Sequence, residues 1–249
     1  MSLTGSLWRD ASNITMKSEF WRGVRASLPM LLGVVPLALV LGAQAAKRGF
    51  SALELPLMTG LNFAGGSELA AIELWTHPPQ ILVIMMVTFL INSRHILMGA
   101  AIEPHLRHLP PHKAFAALFF MTDESWAMGM ADAAKRRQQG LNRSFSVPYY
   151  AGVSAALYIV WVLFTTSGVL LGPLIGDISQ WGFDMAFPAI FLVLLRGMWR
   201  GFHAARPWMV SLLMAAATWH LFPGAWYVPV GALSGVVTAI LLAEKKYHD

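Results

Sequence analysis

Three apolar runs of this sequence carry polar groups that a lipid bilayer tolerates only for a purpose. Asn62 and the stretch Gly65-Gly66-Ser67-Glu68 lie in the first, with Glu73 further on. Asn92, Arg94 and His95 lie in the second, and Asp123 with Glu124 in the third. A charge at the centre of a membrane helix costs about 2.5 to 3.5 kcal/mol on insertion scales, so each such group should face a partner, a cavity or a cargo. Structural ion pairing is the plain reading. The number of ionisable groups in one half of the chain exceeds what one buried pair requires, which points towards a polar binding site.

The individual motifs suggest roles. Gly-Gly-Ser inside an apolar run has weak helix propensity and allows close backbone approach, as expected where a membrane helix breaks to expose amides to a ligand. Tight packing of small residues is the alternative, and Glu68 beside the glycines favours the break. Arg94 lies too deep to snorkel and should pair with Glu68, Asp123 or Glu124. His95 is read as a packing residue. Adjacent acids in a low-dielectric segment cannot both be cheaply ionised, which makes Asp123 and Glu124 the proton-carrying candidates.

A zwitterion with an aliphatic side chain needs an anion pole, a cation pole and an apolar wall. Arg94, or the amides around Gly65, Gly66 and Ser67, could take a carboxylate. Glu68 or Asp123 could take an ammonium, with Asn62 and Asn92 nearby in sequence. Met58, Phe63, Leu97 and Phe120 are the wall candidates. A hydrolase using Ser67 with His95 or His220 is a second possibility, and a channel or structural membrane subunit a third. No H-E-x-x-H or G-x-S-x-G motif occurs, and no metal or other cofactor is expected.

The elements that position these groups follow from composition. The 249 residues are 56% hydrophobic and only 12% charged, with mean hydropathy +0.55, against about 25% charged in soluble domains. The chain reads as an all-α, polytopic membrane protein with kinked or broken helices. Apolar runs fall at about 26–46, 55–75, 81–102, 114–133, 149–171, 185–199, 207–221 and 226–243. They suggest eight crossings, or seven if one run is re-entrant. Residues 1–19 read as a cytoplasmic tail without a cleavable signal, 20–245 as the transmembrane domain and 246–249 as a C-terminal tail.

The net charge of +5 comes from bases that sit mainly between apolar runs. It therefore reports topology rather than a nucleic-acid partner. Lys135, Arg136, Arg137 and Arg143 mark the strongest cytoplasmic loop, whereas Lys47, Arg48, Arg107 and Lys113 fall on the outer side of an eight-span layout. Cys is absent, which excludes disulfides and thiolate sites. An internal repeat is suggested by Gly42, Gly49-Phe50 and Phe63-Ala64 against Gly172, Gly182-Phe183 and Phe187-Pro188-Ala189.

The motifs together resemble the AzlC family, the large subunit of two-component branched-chain amino-acid exporters. The resemblance spans 20–243. It rests on Phe63-Ala64-Gly65-Gly66-Ser67, Asn92-x-Arg94-His95 and Thr122-Asp123-Glu124, with Pro29, Pro36 and Phe187-Pro188-x-x-Phe191 in agreement. It implies a multi-pass protein of the bacterial cytoplasmic membrane that exports small neutral amino acids as a secondary transporter. It also implies a small hydrophobic partner subunit of the AzlD type. Glu68 departs from the Gln usual there, which bears on charge balance and cargo. No G-x-x-x-x-G-K-[ST] phosphate loop occurs in the chain.

Overall fold

A computed structural model of the chain describes residues 16–141, 144–175, 192, 201–222 and 226–248. Among these the secondary structure is helical. The elements are α1 (Met16–Lys47), α2 (Glu54–Asn62), α3 (Gly65–Glu73), α4 (Ile81–Asn92), α5 (Arg94–Leu106), α6 (Pro111–Phe119), α7 (Asp123–Gln138), α8 (Val147–Ile175), α9 (Phe202–Leu221) and α10 (Tyr227–His248). They fall into two compact units, Met1–Ala64 with Arg94–Leu174, and Gly65–Ser93 with Ile175–Asp249.

The first unit is built on α1 and α8, which run parallel in direct backbone contact. Apolar surface gives no driving force between helices in lipid, so close association needs small residues. Gly42 lies against the backbone of Thr165 and Gly168, Gly168 against Leu39, and Gly152 against Phe20. A Cβ at any of these would overlap a main-chain atom of the neighbouring helix. The register advances in the same direction on both helices, from Gly23 beside Tyr149 to Ala43 beside Gly172.

One end of this pair is locked by charge. Arg22 donates from Nη1 and Nη2 to both Asp132 oxygens at 2.7 and 2.9 Å. Its Nε reaches Glu19 at 2.9 Å. Glu19 also accepts from Arg136 at 2.8 Å and from the Ser146 hydroxyl at 2.6 Å, and the Arg22 guanidinium lies 4.1 Å over the Tyr149 ring. These bonds tie the start of α1, the second half of α7 and the approach to α8. Lys135, Arg136 and Arg137 sit in the last turn of α7, so the excess of bases assigns this end to the cytoplasmic side.

That assignment corrects the expected path of the fourth apolar run. It breaks at Phe120–Thr122 into α6 and α7, and both halves point back to the cytoplasmic end. Going up α6, the Ala117 carbonyl accepts from the Tyr150 hydroxyl at 2.9 Å and the Phe120 ring packs 5.0 Å from that of Tyr158. Coming down α7, Gly129 lies against Tyr150 and Phe145, and then Asp132 and Arg136 enter the charged lock. A nine-residue α6 is about 13 Å long at 1.5 Å per residue, short of a hydrocarbon core of about 30 Å. The run is thus a re-entrant hairpin, and Arg107 and Lys113 lie at the cytoplasmic end, which removes two of the four outer-side bases that fitted the positive-inside rule poorly and leaves Lys47 and Arg48 at the far end of α1.

α2 enters from the other end of α8. Thr59 Oγ1 lies 3.4 Å from Thr165 Oγ1, and the Tyr158 hydroxyl donates to the Gly60 carbonyl at 2.9 Å. At its start Ser51 donates its amide to Glu54 at 2.8 Å, which holds that carboxyl below the usual carboxylate range. In the second unit α9 and α10 pack as a pair, with Gly231 against Ala215 and Gly235 against Ser211. α4 contacts α3 and α10.

Among the described residues three helices are long and apolar enough to cross a membrane, Met16–Lys47, Ile81–Leu106 across its interruption at Ser93, and Val147–Gly172, with Tyr227–Leu242 a shorter apolar helix. Those described lengths do not support the expected seven or eight crossings. The helix from Met16 begins within the expected N-terminal tail, and the last helix runs to His248, within the expected C-terminal tail. The 185–199 run apart from Leu192, with its Phe187-Pro188-x-x-Phe191 motif, the second half of the suggested repeat apart from Gly172, Arg143 and residues 1–15 lie outside the described residues.

Candidate functional site

Each polar motif sits at a helix discontinuity. In the first run the break falls at Phe63 and Ala64, two residues before the expected place. Phe63 has φ 46° and ψ 47°, the one positive-φ non-glycine among the described residues. Such a conformation costs about 1 to 3 kcal/mol and persists only where its surroundings impose it. Here the Phe63 amide donates to the Thr59 carbonyl at 2.9 Å, and its buried ring stands edge-on to Tyr158 at 5.0 Å. Asn62 ends α2. Of the two forms expected, an unwound stretch or a half-helix junction, the structure has the second: Gly65, Gly66 and Ser67 form the first turn of α3, whose amides have no carbonyl behind them within the helix. Ser67 and Glu68 are each 1% exposed.

In the second run the interruption is Ser93, between Asn92 at the end of α4 and Arg94 at the start of α5. Ser93 stays in the helical region, and its hydroxyl turns back to the Leu90 carbonyl at 2.7 Å. The third run breaks before a reciprocal cap. The Ser125 amide donates to Thr122 Oγ1 at 3.2 Å and the Thr122 amide to Ser125 Oγ at 2.9 Å. Asp123 and Glu124 therefore occupy the first turn of α7, where the helix amides favour negative charge.

The structure brings together Arg94 and Asp123, with Nη1 2.8 Å from Oδ2. This is one of the three pairings expected for Arg94. Both side chains remain over a third exposed, 43% and 37%, so the pair lines accessible space rather than a sealed core. Glu124 is half-buried and makes no hydrogen bond or ion pair with the described residues. Asn62, Arg94, Asp123 and Glu124 belong to the first unit, whereas Gly65, Gly66, Ser67, Glu68 and Asn92 belong to the second. Of the wall candidates, Phe63 and Phe120 both pack on Tyr158, while Leu97 is 76% exposed.

Two tyrosines of α8 were not singled out from the sequence. A helix that stops inside a membrane leaves carbonyls without donors. Tyr150 supplies one to Ala117 near the end of α6, and Tyr158 supplies one to Gly60 near the end of α2. Their eight-residue spacing places each at the level of one half-helix end. Replacing Tyr158 with Phe keeps both ring contacts and removes the donor. The expected loss is about 1 to 3 kcal/mol in reversible unfolding in detergent, the cost of an unsatisfied buried carbonyl. Wild-type stability in that variant would mean that Gly60 finds another donor.

The comparisons with known proteins agree with a membrane transport role. The AzlC protein family model matches residues 29–175. An uncharacterized membrane protein of Archaeoglobus fulgidus is 30% identical, over 77% of this chain and 81% of its own length. The inner membrane protein YgaZ of Escherichia coli is 25% identical over 91% and 90%. The branched-chain amino acid transport protein AzlC of Bacillus subtilis is 22% identical over 92% and 89%. No solved structure matches. With most of its length shared with membrane proteins and the family model covering most of its first unit and the breaks at Phe63, Ser93 and Thr122, the chain belongs to the AzlC family.

Proposed function

We propose that this protein is the large subunit of a secondary transporter that exports small neutral amino acids, branched-chain ones above all, together with a small hydrophobic subunit of the AzlD type. The observation that carries the reading is the Arg94–Asp123 pair, an exposed ion pair at the start of two helices that begin inside apolar runs. Such a pair can exchange its internal partner for a zwitterion, with Arg94 taking the carboxylate and Asp123 the ammonium. The relative whose name specifies branched-chain amino acids supports the choice of cargo. Asn62, the polar residue that ends α2, belongs to the same unit.

The second unit offers its own candidate seat for an anion, the first turn of α3 at Gly65, Gly66 and Ser67, with Glu68 buried in the same turn and Asn92 ending α4. Glu68 in place of Gln adds a carboxylate there, which bears on which side chains are accepted. Membership of a transport family favours this reading over a hydrolase built on Ser67. A channel is the remaining alternative. The test is an efflux panel in cells lacking or overproducing the chain with its partner. Faster release of leucine, isoleucine and valine against a gradient supports an exporter, and release only down the gradient supports a channel.

A further inference from the structure

A trough of about 470 Å3 runs between α6 and α8, and of the groups the transport reading uses it borders only the wall candidate Phe120. Its walls include Phe20, Leu109, Ala116, Ala155, Phe120 and Tyr158, and Lys113 stands at its edge. Along α8 it extends from Val147 to Ile159, about 18 Å at 1.5 Å per residue. Spread over that length it is a narrow slot, whereas a helix with its side chains is about 10 to 12 Å across. Its lining is almost wholly carbon, and a zwitterion placed there would lose its hydration without gaining partners. The space suits a hydrocarbon chain.

α6 needs such a chain. It has nine residues and none of them is buried, while helices under about 12 residues are marginal on their own. Phe115 is 71% exposed and Phe119 43%. The one side-chain hydrogen bond shown from α8 to α6 is that from Tyr150 to Ala117. The segment after Glu103, of which Leu109 and Lys113 line the trough, carries Arg107 and Lys113 with His105, His108 and His112 and no acid before Asp123. This segment lies at the cytoplasmic end, where the membrane surface is negative and basic pockets between helices take anionic headgroups.

We propose that the trough is a specific site for an anionic phospholipid of the cytoplasmic leaflet, with one acyl chain between α6 and α8 and the phosphate on Lys113. The chain then reaches the ring of Phe120 and supports the tip of the re-entrant hairpin from behind. The site is independent of what the protein carries.

The experiment uses the purified full chain, stripped of lipid in detergent and titrated with dioleoyl phosphatidylglycerol or dioleoyl phosphatidylcholine, with bound lipid read by native mass spectrometry. The glycerol lipid is expected to bind about fivefold tighter, and Lys113→Gln to reduce it to the choline level, as one basic residue near the surface contributes. Ala116→Phe, an exposed position whose larger side chain fills the slot, is expected to weaken both lipids at least fivefold, with Ala155→Phe as a second filling variant. Equal binding of the two lipids by the wild type overturns the headgroup assignment. Unchanged binding in both filling variants overturns the site, and if those variants instead lose a copurifying subunit, the slot is a protein interface.

Discussion

Efflux of the carried amino acid is expected to fall by about tenfold to a hundredfold when Arg94 is replaced by Ala, since hydrogen bonds to a charged group contribute about 1.5 to 3 kcal/mol. The loss has two sources that can be separated. Arg94 neutralises Asp123 at 2.8 Å, and in the proposed cycle it also receives the carboxylate of the cargo. Arg94→Lys keeps the charge but not the planar fork, so it should restore folding more than transport. The exchanged pair, Arg94→Asp with Asp123→Arg, restores internal neutrality while reversing the poles. Efflux in that double variant at the level of the wild type would make the pair purely structural. Efflux as low as in Arg94→Ala, in a protein that assembles normally, is the expected result.

The second large effect concerns the proton. Asp123 is held by Arg94, whereas Glu124 has no hydrogen bond or ion pair with the described residues, and we propose it as the carboxylate that carries the coupling proton. If export is coupled to proton entry, wild-type efflux rises as the outside is made more acidic. Glu124→Gln should remove that dependence and at least tenfold of the gradient-driven rate, while exchange of labelled cargo at equal concentrations survives. Asp123→Asn should slow efflux and exchange alike, because it disturbs the binding pair. Unchanged pH dependence in both variants would assign Asp123 and Glu124 to capping α7 alone.

Much of this was legible in the residues, and the misses have physical causes. An arginine deep in an apolar run demands a carboxylate, which left Glu68, Asp123 and Glu124 open from sequence, and the structure pairs it with Asp123. The break in the first run was also foreseeable, but Gly65 and Gly66 drew it two residues too late. Glycine tolerates the first turn of a helix, while the left-handed residue is Phe63, imposed by tertiary packing on Tyr158 that no local propensity reports. The return of the fourth run was written in Thr122-x-x-Ser125 with acids between them, a helix-start signature, and in Asp132 to Arg137, too charged for the far half of a membrane span. Hydrophobicity alone, averaged over 114–133, concealed both.

Tyr150 and Tyr158 could not be assigned from sequence because their task depends on where two other helices stop. A tyrosine in an apolar run is ordinary until a half-helix ends beside it with an open carbonyl. The lock of Glu19, Arg22, Asp132 and Arg136 is similar: each residue reads as an ordinary cytoplasmic charge, and only the fold of α7 back to the start of α1 makes them one network.

The claim at the centre of this account is that the chain moves an amino acid through a site containing Arg94 and Asp123. Counterflow states it most directly. Proteoliposomes holding the chain and its small partner are loaded with unlabelled leucine, and uptake of a trace of labelled leucine is followed. The account predicts a transient accumulation above equilibrium that Arg94→Ala abolishes. Accumulation that is identical in Arg94→Ala, or none in the wild type with the partner present, would contradict it.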